Sequence, residues 1–248
     1  MNQHHTDLIR ANLRRDYVKM FRPAGGGFKY PFLMPGASYQ DMLWDWDSWL
    51  SAIALFQILA DQDLQHDFAR TVEHAQGCVL NYLEFTRADG AVPINVPRDH
   101  APTGGIPEWM QPQNNICKPV LAQFAAFLVQ QTGSAEWLRP YFERLQRFHH
   151  YYVREQQETK TGLFYWKNDL AIGTDNDPCT FARPVNSSGS IYLNSLMHRE
   201  LLAGAFLAEK RDWAMRLPTM RSAQRRCSWP CSNSAGTAAT GFSIVLIF

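Results

Sequence analysis

Residues 44–60, Trp44-Asp45-Trp46-Asp47-Ser48-Trp49-Leu50-Ser51-Ala52-Ile53-Ala54-Leu55-Phe56-Gln57-Ile58-Leu59-Ala60, hold three tryptophans and two aspartates in their first six positions. From Trp46 to Ala60 nearly every position is apolar, with Ser51 and Gln57 as the main exceptions. A helix that is hydrophobic all round is buried on all sides. The following stretch, Leu64 to Phe85, reads differently. Phe68, Val72, Ala75, Val79, Tyr82 and Leu83 keep one face, and Gln65, Asp67, Arg70, Glu73 and Gln76 take the other, which predicts a helix with one wet side.

The same pair recurs. Ile116 to Val129 is apolar nearly all round, and Gly133-Ser134 supply a stop and an N-cap. From Ala135 an amphipathic helix follows, with Leu138, Tyr141, Phe142, Leu145, Phe148 and Tyr152 set against Glu143, Arg144, Gln146 and Arg147. A third apolar helix runs from Ile191 to Phe206. Buried helices thus return roughly every seventy residues, the logic of stacked units. A buried helix followed by a half-wet one, repeated, predicts an inner and an outer ring. The expected fold is all-α, a partial (α/α)6 toroid with about three inner–outer helix pairs.

Long loops at 24–39, 88–115 and 159–188 join these helices. Loops above about 15 residues in a compact domain are usually functional or disordered. The aromatic content here (Phe28, Tyr30, Phe32, Trp109, Phe164, Tyr165, Trp166) argues against disorder.

The whole-chain numbers narrow the function. The 248 residues carry 24 basic and 23 acidic side chains, a net charge of +1, with no basic block to suggest nucleic acid or a polybasic membrane surface. No run of about 18 apolar residues predicts a membrane span. Met1 to Asp7 lacks the apolar segment of a signal peptide. The five cysteines have neither zinc-finger nor redox spacing, so reduced thiols in a cytoplasm are expected. His4-His5 and His149-His150 lack metal-ligand spacing and read as surface residues. Gly25-Gly26-Gly27 lacks the strand-then-helix context of a phosphate loop.

Two segments concentrate chemistry. In Gly173-Thr174-Asp175-Asn176-Asp177-Pro178-Cys179, Gly173 permits a bend and Asn176 and Pro178 favour a turn, fixing Asp175 in a loop. A carboxylic acid beside Trp166 and other apolar groups has its pKa raised, as a general acid needs. The competing reading is an Asx-turn of Asp175, Asn176 and Asp177 that caps the next helix. At Trp44–Trp49, buried carboxylates are costly unless bonded. Asp45 and Asp47 suit the helix dipole, which accounts for one of them. The flanking indoles suit a pyranose ring, with its apolar face and edge of hydroxyls. In Gln111-Pro112-Gln113-Asn114-Asn115 the asparagines read as N-caps, and Gln113 or Gln111 as a cavity amide.

With these residues in view, the chain resembles glycoside hydrolase family 63 and its mannosylglycerate, glucosylglycerate and processing α-glucosidase relatives. The likeness rests on Trp44-Asp45-Trp46-Asp47-Ser48, on Gly173-Thr174-Asp175-Asn176-Asp177-Pro178, and on Arg183-Pro184-Val185-Asn186-Ser187-Ser188 leading into Ile191-Tyr192-Leu193-Asn194. It implies inverting hydrolysis of an α-glycosidic bond, with Asp175 as the general acid. It also implies that Trp44, Trp46, Asp47, Gln113 and Asn176 hold a small saccharide or glycoside substrate. No cofactor or metal is implied, because proton transfer and water attack suffice. Family members often carry Glu-Ser before the motif's glycine, where this chain has Ala171-Ile172. An inverting mechanism needs a second carboxylate about 6.5–9.5 Å from the acid. The resemblance puts that base in the second half of a barrel, of which these residues represent the first half.

The expected division is therefore 1–216 as the amino-terminal half of a toroid domain and 217–248 as an anomalous tail, with a frame shift as one reading of it. Pro218 interrupts the outer helix, and a Ser/Cys/Arg-rich stretch leads to Ile244-Val245-Leu246-Ile247-Phe248. Two other readings are a non-catalytic carbohydrate-binding remnant and an α/α-toroid epimerase or isomerase. The epimerase needs paired catalytic histidines, which the eight present do not supply.

Overall fold

A computed structural model describes residues 3–36, 42–60, 62–99, 115–174 and 177–210. The tail at 217–248 lies outside them. The chain is mostly helical: α1 (Gln3–Asp16), α2 (Asp45–Ile58), α3 (Phe68–Glu84), α4 (Leu121–Thr132), α5 (Phe142–Glu155), α6 (Asp169–Ile172) and α7 (Ile191–Glu209). Among the described residues four short strands also form: β1 (Phe21–Arg22), β2 (Phe32–Leu33), β3 (Met42–Trp44) and β4 (Asn95–Pro97). They make two antiparallel pairs, β1 with β2 and β3 with β4. Helix α2 packs on α3, α3 on α4, and α4 most extensively on α7. The result is a partial helical toroid, and among the described residues the ring does not close. No helix among them is long and apolar enough to cross a membrane.

Helix α4 is enclosed as its sequence predicts, with Leu121 through Ala126, Leu128 and Val129 all buried. Gly133 ends it in the left-handed conformation (φ +73°), its N–H donating to Val129 O. Helix α5 buries the expected face: Phe142, Leu145, Phe148 and Tyr152. It starts at 142 rather than 135, because Glu136–Tyr141 forms a 3-10 turn around Pro140.

The burial of α2 departs from the reading of its sequence, and α3 keeps its wet side, with Arg70 and Glu73 exposed, only in its first half. Helix α2 leaves an apolar face partly open: Leu50 is 51% exposed, and Ala54 is exposed too. Conversely, every residue from Gly77 to Leu83 of α3 is buried. The loop carrying β2 covers the carboxy-terminal half of α3, beyond the exposed Arg70 and Glu73. Asn81 Nδ2 donates to Tyr30 O, and Tyr30 N donates to Asn81 Oδ1, at 2.9 and 3.2 Å. At Gly77 the backbones meet so closely that a β-carbon would stand 1.7 Å from Pro31 O. The glycine run at 25–27 serves packing as well, since Gly27 N donates to Arg98 O at 2.6 Å.

A second correction concerns His149. It is 1% exposed, not a surface residue, and Nε2 lies 3.1 Å from Glu200 Oε1. Glu200, fully buried on α7, also accepts from Ala122 N at 2.7 Å and Gln123 N at 3.0 Å. These are amides of the first turn of α4, which lack partners within their own helix. One carboxylate from α7 therefore caps α4 and holds α5.

Candidate functional site

The site begins where β3 becomes α2. Trp44 ends the strand opposite Asn95 of β4, and Asp45 opens the helix. Asp45 is 1% exposed. Its Oδ1 accepts from Trp46 N at 2.7 Å, and its Oδ2 accepts from Lys118 N at the same distance. Lys118 Nζ returns to both oxygens, at 3.2 and 3.3 Å. Asp45 is thus a structural anchor between the entries to α2 and α4. Asp47, two positions further along, sits half-buried in the first turn.

The buried ammonium of Lys118 lies 4.8 Å from the centre of the Trp46 ring, a cation–π contact. Beyond Trp46 the aromatic wall continues to Tyr192, with ring centroids 6.2 Å apart, and from Tyr192 to Trp166 at 5.9 Å. Trp166 is fully buried and its Nε1 donates to Ser190 Oγ at 3.0 Å. The Tyr192 hydroxyl is held well above the ordinary tyrosine range by burial and then by the Asp45 charge. That hydroxyl has no hydrogen-bond partner among the described residues. The same is true of both amide atoms of Asn95, a residue with no exposed surface.

The second motif arrives on α6. Asn168 caps this short helix, accepting from Ala171 N at 3.0 Å, and Ala171 and Ile172 anchor it in the core. Gly173 closes it with φ +72°. A β-carbon at Gly173 would stand 2.6 Å from Lys118 Nζ and 3.6 Å from Trp46 Cζ2. The backbone of the Gly173–Cys179 motif therefore starts against the ammonium and the indole of the first motif. On its far side, Asp177 N donates to Thr174 O at 3.3 Å.

Asp177 Oδ1 accepts from Cys179 N at 2.7 Å, so an Asx-turn is present at this position. It does not cap the next helix. Ser190 does, its Oγ accepting from Leu193 N at 3.2 Å. Asp175 and Asn176, and likewise Gln113 and Gln111, lie outside the described residues. Among those described, no group of three or more His, Cys, Asp or Glu side chains is placed to hold a metal ion.

Trp46, Lys118, Tyr192 and Gly173 come together, while Trp44 stands across the strand pair from Asn95. Sequence reasoning missed Lys118, although a signal was there. It is the lone charge in Ile116-Cys117-Lys118-Pro119-Val120-Leu121, and lysine is almost never fully buried unless paired. An equally unexplained aspartate in another apolar entry was its natural partner. Tyr192 and Asn95 gave no such signal, because tyrosine and asparagine are ordinary in loops and helix starts.

The model of the mannosylglycerate hydrolase MGH1-like glycoside hydrolase domain matches residues 40–229. Among solved structures, the chain is similar to a GH63 mannosylglycerate hydrolase from Thermus thermophilus, determined in complex with glucose. The TM-score is 0.60 at 17% identity, covering 88% of this chain and 61% of that one. It is also similar to an uncharacterized conserved protein from the same organism, with a TM-score of 0.57 at 18% identity, covering 87% of this chain and 61% of that one. These likenesses concern the fold, and the chain spans less than two thirds of either structure. No curated protein matches it.

Proposed function

The chain belongs to the mannosylglycerate hydrolase MGH1-like glycoside hydrolase family, and on that premise we propose that its site serves inverting hydrolysis of an α-glycosidic bond. Asp175 protonates the departing glycosidic oxygen while a second carboxylate, about 6.5–9.5 Å away, activates water on the opposite face of the sugar. Trp44 and Trp46 offer their faces to the ring. Asp47, Gln113 and Asn176 bond its hydroxyls. The substrate is a small saccharide or glycoside, a reading supported by the glucose bound to the similar hydrolase.

One observation carries the assignment. Gly173, two residues before Asp175, packs against the Trp46 indole and Lys118 Nζ. The motif that holds the acid therefore starts beside the motif that holds the sugar.

By the resemblance, the water-activating base is a glutamate later in the fold, outside residues 1–248. A polypeptide of these 248 residues alone is expected to bind sugar without cleaving it. The same outcome suits the alternative, a non-catalytic carbohydrate-binding remnant. Titration with glucose should give saturable binding that Trp46→Ala weakens by about tenfold, the loss of one stacked aromatic. Turnover of an α-glucoside or α-mannoside by this polypeptide, abolished in Asp175→Asn, would overturn the expected inactivity. Absence of any sugar binding would remove the site. We place the protein in the cytoplasm, in keeping with the free thiols of Cys78, Cys117 and Cys179.

A further inference from the structure

Lys118 is buried to 1% and so is Asp45, yet a buried ion pair is a poor device for stability. Apolar residues of the same volume often do as well or better, because desolvating two charges offsets their attraction. The pair's geometry points to another use. The Asp45 carboxylate holds three groups at once: Trp46 N, Lys118 N and Lys118 Nζ. Both the main chain and the side-chain end of Lys118 are thereby fixed to one anchor, so its ammonium has little freedom. One side of that ammonium faces the Trp46 ring at 4.8 Å. Against it lies Gly173, at a separation that leaves no room for a β-carbon.

We propose that Lys118, neutralised by Asp45, is a positioning residue that sets the spacing between the Trp46 indole and the Gly173 turn. The ammonium fills the volume a side chain at 173 would need. It is thus a spacer of fixed length between the sugar platform and the start of the second motif. Glycine at 173 is required for two reasons: the positive φ and the occupied space. Because the pair is neutral overall, it performs this role without placing a net charge beside a neutral sugar. The sugar-binding part of the proposal rests on the glycosidase reading above; the spacing part does not.

The test uses the full chain carrying Asp45→Asn together with Lys118→Met, which removes both charges and strands neither in the core. Backbone hydrogen exchange is followed in 169–174 and, as the internal reference, in 121–132. Glucose affinity is measured by titration in the same preparation. The double variant should melt about 4 °C or more below the parent, because asparagine at 45 keeps one acceptor oxygen where the carboxylate serves both Trp46 N and Lys118 N. Exchange in 169–174 should accelerate about tenfold while 121–132 is unchanged, and glucose should bind about tenfold more weakly. Unchanged exchange in 169–174 would overturn the proposal, and so would equal acceleration in both segments, the signature of a merely structural pair. If the parent itself binds no glucose, the glycosidase reading fails while the exchange comparison still decides the spacer. Should the double variant not fold, Gly173→Ala carries the same comparison. Its added methyl must displace the ammonium, so selective acceleration in 169–174 supports the spacer, and a parent-like profile refutes it.

Discussion

Replacing Glu200 by leucine tests whether one carboxylate joins three helices. The side chain has no exposed surface and accepts from Ala122 N at 2.7 Å, Gln123 N at 3.0 Å and His149 Nε2 at 3.1 Å. Leucine fills a similar volume but accepts nothing, so three donors would stay dry and unbonded. An unsatisfied buried donor costs about 1–3 kcal/mol, and breaking a buried charge-assisted network about 3–5 kcal/mol. The expected loss is about 4 kcal/mol, a large share of the roughly 5–15 kcal/mol that holds a domain of ordinary stability. Urea unfolding should show the midpoint falling with little change in slope. Glu200→Gln keeps one acceptor oxygen and should lose about half as much. Adding His149→Phe to Glu200→Leu should recover about 1–2 kcal/mol, the share of the imidazole, because the two helix amides remain without an acceptor. A change below about 1 kcal/mol in Glu200→Leu would refute the cap, since relaxed donors would then be finding other partners.

Three further outcomes follow from the packing. Gly77→Ala, which favours an ordinary helix interior by about 1 kcal/mol, should instead destabilise this one by about 3 kcal/mol or more, the cost of severe overpacking, because the methyl meets Pro31 O; a raised melting temperature would show that the loop slides aside. A thiol reagent at pH 8 should modify exposed Cys179 and leave Cys78 and Cys117 untouched until unfolding; burial pushes the Cys78 thiol up to about 12, and Asp177 raises that of Cys179, so its reaction should be slower than that of free cysteine. Burial lowers both His74 and His150, so the native state resists protonation that the unfolded chain accepts; stability should fall as pH drops below the ordinary histidine value of 6.5 toward the folded values, and His74→Gln should flatten that fall in urea midpoints. At lower pH the same sign applies to Glu84. Burial alone would raise its pKa, but bonds from Lys29, Tyr141 and Arg144 outweigh this and hold it low.

Much of the fold was legible because helical periodicity is a local property. The apolar run that becomes α4 is apolar on all sides and is enclosed on all sides. The stripe on α5 falls on the face that packs, and Gly133 stops α4 where a left-handed residue was expected. The full enclosure expected of α2 is not found, and the wet side expected of α3 holds only as far as Gln76. Polar residues on α3 say only that a face tolerates water, not that water is what covers it. Asn81 satisfies the Tyr30 peptide group as well as it would a solvent molecule. The strands, two or three residues each, are too short to show a period, and the exposed α1 carries few apolar positions.

Within the candidate site, the sequence by itself determined which residue types were out of place: carboxylates among indoles, and a glycine before an Asp-Asn pair. Those choices are chemical, and composition reveals them. Only the tertiary structure decided that Asp45 is an anchor, that Lys118 is its partner from 73 residues away, and that Gly173 rests on both the ammonium and Trp46. Distances between segments so far apart depend on how whole helices pack, and no local pattern records them.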